Sequence, residues 1–545
     1  MIRVDMDITL RVRGPILTKS SAPGNYGLDE CVARNSKGEM YIPASHVSGK
    51  LREAWEELAD CLDDSASPVV PTKNQILELL GQASFESPEP RSKKLIFSDF
   101  ILQAGQNEQC GVGHRIRIDP QMGAVQKGAL LSLESPFGPG ASITFSGRLS
   151  FYATGPGEAA TLRLQLLRGL QWIPQLGGMR SIGFGVLEDV SVAEPVINRV
   201  ELQPRDWRQA TGFDIVLQPF GPFCISTPTP VDNLFESEEV IPGNVILGML
   251  ASALNGLEGH HGRKVGSASG QSKFSVLREH FSKIRITHAF PTADPAKRPI
   301  PPPQSLVKVG DNTFDVALLD TPCLINGKPP EFQIDWKDGS KVYKQYGWPT
   351  LTRELRVRTA MDPESLRSAE EKLFAYNMVV PEDHRWTARV DLCAIEDEKT
   401  RNTLMDQLSA LFTVGLLGLG KTKTPVDVTI HGQGTIADVM PSGDIEGLGP
   451  EQLLIITLRT PALLCSAKNL NEESGGRELR TAYEETWQAL CPDLQLVRYF
   501  ARQSLAGGEY LRARFQGDRY LPWLLTEAGA VFVFRVENWE AANNQ

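Results

Sequence analysis

Residues 164–192 read LQLLRGLQWIPQLGGMRSIGFGVLEDVSV, and they set a helix, a glycine-rich loop and a strand in one run. The helix pattern begins earlier, at TLRLQLLRGLQWI (161–173), and the strand pattern closes the run. A dinucleotide-binding fingerprint needs the opposite order, strand first and helix last. The loop also lacks the Gly-Lys-Ser/Thr of a P-loop. A nucleotide-hydrolysing enzyme is therefore disfavoured. Two readings remain for Gly178, Arg180, Ser181, Gly183 and Gly185. They form an ordinary tight turn, or they cradle phosphates of another kind.

The run occurs twice. Residues 404–430, LMDQLSALFTVGLLGLGKTKTPVDVTI, repeat the helix, the glycines (Gly418, Gly420) and the strand, with Lys421 and Lys423 beside the loop. Working outward, three more landmarks recur in the same order. DITLRVRGPILTKSSAPG (7–24) is echoed by FDIVLQPFGPFCISTPTP (213–230). YIPASHVSGKLREAWEEL (41–58) is echoed by VIPGNVILGMLASALN (240–255), and HRIRID (114–119) by ELRVRTAMD (354–362). Each arginine strand leads through a turn to an apolar strand, SITFSGRLSF or RWTARVDLCA. Four matches in register imply two homologous domains, 1–205 and 206–445, the second with an insertion at about 257–350. Residues 446–545 form an extension that completes the second domain or makes a partial third one. Each copy reads strand, helix, strand, hairpin, strand, helix, strand. That is the β-α-β-β-α-β pattern of a ferredoxin-like, RRM-like domain, so the fold class is α+β.

Composition is that of a globular chain: 41% hydrophobic and 22% charged over 545 residues. No run is long and apolar enough to span a bilayer, and the first residues, MIRVDMDITLRVRG, read as a strand and not a signal core. The expectation is a cytoplasmic protein. The eight cysteines are scattered without a C-x-x-C pair, and no zinc pattern forms with the eight histidines. The net charge of −10 disfavours a uniformly basic nucleic-acid binder. It leaves room for a local basic groove.

The repeated landmarks suit such a groove. Behind the Ile-Pro turn, Ser45 caps a helix whose N-terminus offers unpaired N–H groups and partial positive charge. Ser48 and Gly49 allow close approach there, and Lys50 and Arg52 add charge. Gly243 and Asn244 hold the matching place in the second copy, without the basic residues. Arg115 and Arg117 share one strand face, as do Arg356 and Arg358. Paired arginines on a sheet face suit a sugar-phosphate backbone. DPQMGAVQKGALLSLESPFGPG (119–140) has the length and turns of a protruding hairpin. The plain alternatives are a capped amphipathic helix and a solvated sheet face.

Together, Ile-Pro-x-Ser-x-x-x-Gly-x-x-Arg, Arg-Ile-x-Ile-Asp with a following Gly-Ala, and the helix with its glycine-rich loop resemble the RAMP superfamily of CRISPR-associated proteins. Closest is the Cas-seven-like backbone of type III, and more narrowly type III-D-like, effector complexes. The resemblance covers nearly all of domain 1. It implies tandem RAMP domains with thumb hairpins and glycine-rich loops. It further implies that the helix N-terminus and the loop hold a guide crRNA, and that the thumb wedges into the guide–target duplex. Expected partners are the guide crRNA, target single-stranded RNA, neighbouring RAMP subunits, and the large and small subunits, with no membrane. In such complexes an aspartate before the Ile-Pro turn cuts the target. YGLDECVARNSKGEMYIPAS places Asp29 there, with Glu30 adjacent, and TPTPVDNLFESEE offers Asp232 in copy two. The implied chemistry is attack by a ribose 2′-hydroxyl on the neighbouring phosphate, with Asp29 as base or as ligand of a divalent cation, expected to be magnesium. Three alternatives stay open. Copy two with LRTPALLC, GGEYLRARF and AGAVFVFRV resembles a Cas-five-like cap. The chain is a structural crRNA-binding subunit. Or it is a Cas-six-like guide-processing endoribonuclease that uses His46 as base.

Overall fold

The computed structural model of the chain describes residues 1–19, 27–61, 69–82, 92–106, 108, 111–207, 209–226, 233–260, 265, 272–319, 324–333, 336, 339–361, 368–440, 453–465, 476–506 and 523–536. It is a mixed α+β protein with mostly antiparallel sheets. The chain divides into two compact units. The first comprises Met1–Ile286, Leu351–Asp383 and Arg389–Gln433; the second comprises Thr287–Thr350, His384–Ala388 and Gly434–Gln545. Among the described residues, no helix is long and apolar enough to cross a membrane.

The first half of unit one is built on β1 (Ile2–Arg13). Val4, Met6, Ile8, Leu10 and Val12 alternate into the core, as a period of two requires. Then come β2 (Tyr41–Ile42), α1 (Ala44–Cys61), α2 (Lys73–Leu80), β3 (Ile96–Phe97) and β4 (Phe100–Leu102). The hairpin strands β5 (Val112–Ile118) and β6 (Val125–Glu134) follow, and β7 (Ser142–Ala153), α3 (Pro156–Trp172), β8 (Val186–Val192) and β9 (Val196–Arg199) complete the half. The sheet order is β2-β4-β7-β1-β8, and β1 runs antiparallel to β7 from Ile2↔Ala153 to Arg13↔Ser142. Helices α1 and α3 pack through Trp55, whose indole N–H donates to the Gln165 carbonyl at 3.0 Å. Gly169 makes room for it: a Cβ there would lie 2.3 Å from Trp55 Nε1.

The second half of unit one repeats the plan. β10 (Gly212–Pro219), β11 (Leu234–Glu236), α4 (Gly243–Leu257), α5 (Ser275–His280) and β12 (Arg285–Ile286) lead to the long hairpin β18 (Thr352–Met361) and β19 (Ser368–Val380). β20 (Arg385–Asp391, of which Arg389–Asp391 belong to unit one), α7 (Glu398–Val414), β21 (Leu416–Leu419) and β22 (Thr424–His431) follow. The sheet runs β12-β20-β10-β22-β21, while β11, β19 and β18 form a separate three-stranded sheet. The other face of β1 is sealed by this half. Arg3, 3% exposed, pairs with Asp5, reaches Asp427 at 3.0 Å and donates to the Val414 carbonyl. Tyr152 Oη donates to the Gly415 carbonyl and accepts from Leu417 N–H.

In unit two, β24 (Leu453–Thr457), β25 (Leu494–Phe500) and β28 (Val531–Val536) make a sheet in the order β24-β28-β25. Helix α8 (Gly476–Leu490) supplies Tyr483 and Trp487 to a core with Phe532 and Phe534. Strands β24 and β28 fall within LLIITLRTPALLC and AGAVFVFRVEN, where the sequence places strands; α8 is an addition.

Candidate nucleic-acid interface

The two glycine-rich loops are built alike. Each docks on the carbonyl that ends a Gly-Pro-x-x turn after the first strand of its copy. Gly178 N–H donates to the Leu17 carbonyl at 2.7 Å, and Lys421 N–H donates to the Cys224 carbonyl at 2.8 Å. A Cβ on Gly177 would stand 2.6 Å from Leu17 O, and one on Gly420 2.3 Å from Cys224 O. Both have positive φ, +86° and +61°. Only glycine allows that approach in that conformation. Gly185 is tighter still, its Cβ position 1.8 Å from Leu176 O. Gly178 meets only ordinary contacts, Gly183 and Gly49 face open space, and Gly418 is nearly as clear. Between the glycines of copy one, Arg180–Ile182 make a short helical turn that leaves Arg180 and Ser181 exposed. Some glycines are thus required by the fold, and others leave a backbone surface open beside Arg180, Lys421 and Lys423.

His46 braces the first loop. Its Nε2 accepts the Gly177 N–H at 2.9 Å. Burial pushes the imidazole down to about 4, with Lys50 and Arg180 adding to the effect. That lone pair is already used, which removes His46 as a free base. The folded state holds His46 neutral, whereas the unfolded chain protonates it near its ordinary 6.5. The contribution is therefore complete above about pH 6.5 and is lost as pH falls toward 4, up to about 3 kcal/mol. Denaturation midpoints of wild type and His46→Gln, compared from pH 7.5 to 4.5, are expected to converge toward acid pH; a constant gap contradicts this role.

The helix N-terminus differs from expectation. Helix α1 starts at Ala44, and Ala44 N–H donates to Asp99 Oδ1 at 2.9 Å. Asp99 therefore takes the place expected for Ser45, since a carboxylate from another loop complements the helix dipole. Ser45 accepts from Ser48 Oγ through its carbonyl. Lys50 pairs with Glu53, and Arg52 donates to the Gly81 carbonyl at 2.6 Å and lies near Glu56. Lys50 and Arg52 thus brace α1 and α2. In copy two, α4 begins at buried Gly243 behind Pro242, with no side-chain cap and no acid in its first turn; Asn244 is exposed.

The arginine strands also divide by role. Arg115 is half-buried and Arg117 exposed on β5. Arg356 is committed to the first half of the unit: it reaches Asp99 at 2.5 Å and Glu354 at 2.5 Å, and lies 4.6 Å over the Tyr41 ring. Burial alone would lower its pKa, but Asp99, Tyr41 and Glu354 raise it above the ordinary range. Arg356 is therefore a structural ion and leaves the expected RNA-contacting set. Arg358 faces a cleft of about 870 Å³, together with Lys423, Lys37 and Arg148.

Asp29 sits at the foot of the β5–β6 hairpin. Its N–H donates to the Ser132 carbonyl at 2.8 Å, and Ser132 N–H donates to Asp29 Oδ2 at 2.7 Å. Ser132 Oγ lies 3.2 Å from His114 Nδ1 on the facing strand. Asp29 is exposed, and Glu30 is held by Lys19 at 2.5 Å. The hairpin above exposes Ile116 (54%) and Met122 (79%). Asp232, the acid of copy two, lies outside the described residues, as does the stretch GGEYLRARF.

This arrangement of loop, hairpin and acid coincides with a family boundary. Residues 9–188 match the sequence model of the RAMP superfamily. The matched segment runs from the middle of β1 to the start of β8, so it contains Asp29, the hairpin and the first glycine-rich loop. No curated protein matches the chain significantly. Among solved structures, one similar chain is described as a cryo-EM structure of the type III-B Cmr-beta bound to cognate target RNA and AMPPnP. The identity is 11% and the TM-score 0.30, over 59% of this chain and 86% of that one. A likeness of that size fixes neither fold nor function.

Sequence reasoning missed four polar residues of the matched segment that the fold brings to these places. Asp99 caps α1; Ser132 meets Asp29, and His114 lies against Ser132; Lys19 lies against Gly178, its Cε 3.6 Å from the glycine's Cβ position. None carries a local signal, because each acts through strand pairing or a distant loop.

Proposed function

We propose that the chain is an RNA-guided effector subunit of the type III CRISPR class, made of two tandem ferredoxin-like RAMP domains that hold a guide crRNA and face target single-stranded RNA. The observation that carries this is the shared docking of the two glycine-rich loops on Leu17 and Cys224, beside Arg180, Lys421 and Lys423. Two copies of one glycine-backed loop beside cations suit a repeating polymer better than a single small ligand. RNA-contacting roles are assigned to Ser48, Gly49, Arg115, Arg117, Gly178, Arg180, Ser181, Gly183, Asn244, Arg358, Gly418, Lys421 and Lys423. Gly185, Gly243 and Gly420 shape the backbone beneath them. Neighbouring RAMP, large and small subunits complete the assembly, in the cytoplasm.

In this reading the chain also cleaves target RNA. The Asp29 carboxylate takes the proton of a ribose 2′-hydroxyl. The resulting oxygen attacks the adjacent phosphorus, and the 5′-oxygen leaves. Ser132 N–H fixes the carboxylate's direction, and the hairpin beside it presents the apolar tip that parts the duplex. Among the described residues no three His, Cys, Asp or Glu side chains group to hold a metal ion. A divalent cation, expected to be magnesium, would find one carboxylate here and complete its shell from RNA phosphates and water. The protein does not build a cage for it, and the step is assigned to Asp29.

The test is guide retention by the assembly. Arg180→Glu combined with Lys423→Glu is expected to cut RNA co-purifying with the complex at least tenfold, while the protein subunits still associate. Full RNA retention would overturn the assignment of the loops.

A further inference from the structure

The three-stranded sheet β11-β19-β18 carries a row of rings that the loops and the acid do not use. β11 runs parallel to β19 with Phe235 opposite Tyr376, and β18 runs antiparallel with Arg356 opposite Tyr376 and Arg358 opposite Phe374. Phe235, Phe374, Tyr376, Arg356 and Arg358 therefore share one face, with Arg356 taken up by Asp99 and Glu354 and Arg358 left, among the described residues, without an acid. The ring centroids of Phe235 and Tyr376 are 5.6 Å apart, and those of Phe374 and Tyr376 5.4 Å. Two cations lie on the row: Lys421 Nζ is 4.1 Å from the Phe235 centroid, and the Arg358 guanidinium is 5.4 Å from that of Tyr376. All three rings are half-buried, so part of each stays open to solvent.

Several cations gather here, while the nearby acids Asp99 and Glu354 are taken up by Arg356. Lys93, from the first half of unit one, has its pKa lowered by burial and then by Arg358 and Lys423. Lys423 is lowered by burial and then by Lys421. Like charges crowd here, and among the described residues none of Lys93, Arg358, Lys421 and Lys423 has an ion-pair partner within 4 Å. Asp99 is the acid that offsets Lys93 from further away. The equivalent hairpin of copy one has no Phe, Tyr or Trp on either strand, VGHRIRI or VQKGALLSLE, and His114 there lies against Ser132. The row belongs to copy two and is not a requirement of the repeated fold.

Aromatic rings interleaved with cations in a groove are how sequence-tolerant proteins hold single-stranded nucleic acid: bases stack on the rings while phosphates follow the charges. We propose that this face is a stacking platform for unpaired bases of single-stranded RNA, with the backbone running along Lys93, Arg358, Lys421 and Lys423. The proposal rests on the RNA-binding reading above and adds a row of rings for unpaired bases on the second copy, away from the hairpin tip of the first.

The test uses the full chain and two labelled probes of equal length, oligouridylate and a ribose-phosphate oligomer lacking bases. Wild type is expected to bind the oligouridylate about tenfold more tightly or better. Phe374→Leu with Tyr376→Leu, which keeps apolar bulk in the sheet, is expected to erase that preference while leaving affinity for the abasic probe unchanged. Lys421→Ala with Lys423→Ala is expected to weaken both probes and flatten the salt dependence. Equal wild-type affinity for the two probes, or a preference that survives in the ring variant, overturns the platform and leaves the RNA-binding reading standing. No binding of either probe overturns both.

Discussion

Replacing Asp29 by asparagine is expected to lower target cleavage beside the β5–β6 hairpin at least 100-fold in the assembled complex, with guide retention unchanged. The substitution is chosen for what it preserves. Asparagine keeps an oxygen for the Ser132 N–H that now donates to Asp29 Oδ2 at 2.7 Å, and the Asp29 N–H bond to the Ser132 carbonyl is untouched. What disappears is the negative charge able to take a proton, and a positioned base contributes about 10²–10⁴ in rate. Glu30 does not stand in for it, because Lys19 already pairs with it at 2.5 Å. Glu30→Gln is accordingly expected to cost only a few-fold. Gel mapping of a labelled target distinguishes the two variants. Undiminished cleavage by Asp29→Asn at that position would end the catalytic assignment.

Replacing Arg356 by methionine is expected to destabilise unit one by about 3–5 kcal/mol, the cost of leaving a buried charge without its partner. Two carboxylates depend on this guanidinium. Asp99 is 17% and Glu354 9% exposed at the side chain, and both lie 2.5 Å from Arg356. Asp99 also caps α1 through Ala44 N–H, and Glu354 accepts from Ser36 N–H at 3.2 Å. Losing the arginine therefore loosens the helix start and the contact between the two halves together. Adding Glu354→Gln to the variant is expected to restore part of the loss, since one unpaired charge is removed. Thermal or denaturant unfolding of the three proteins gives the coupling. A loss below about 1 kcal/mol would make Arg356 a surface ion and return it to the RNA-contacting set.

Much of unit one was legible in the sequence, for a physical reason. Strand, hairpin, helix and loop recur with local periodicity, and a repeated pattern states each element twice. The Gly-Pro-x-x turn and the glycine-rich loop recur in order in both copies, and the turn's carbonyl docks the glycine loop in the same way in each. What was not legible depends on distance along the chain. Asp99 reaches Ala44 across 55 residues, so Ser45, the local capping candidate, was the natural choice. Lys50, Arg52 and Arg356 looked alike as exposed cations, yet each is tied to a partner that only the fold brings near. His46 resembled a catalytic base, but packing turned its lone pair toward Gly177. The ring row needs β11 and β19 to meet, which no local pattern shows.

The most direct measurement is a reconstruction of the assembly with guide and target RNA bound. The account expects guide phosphates against the exposed backbone of Gly178–Gly183 and against Lys421–Lys423, and a target ribose 2′-hydroxyl within about 3 Å of Asp29, the reach of a general base. Loops turned away from RNA, with Asp29 facing solvent or protein beside a fully paired target, would contradict it.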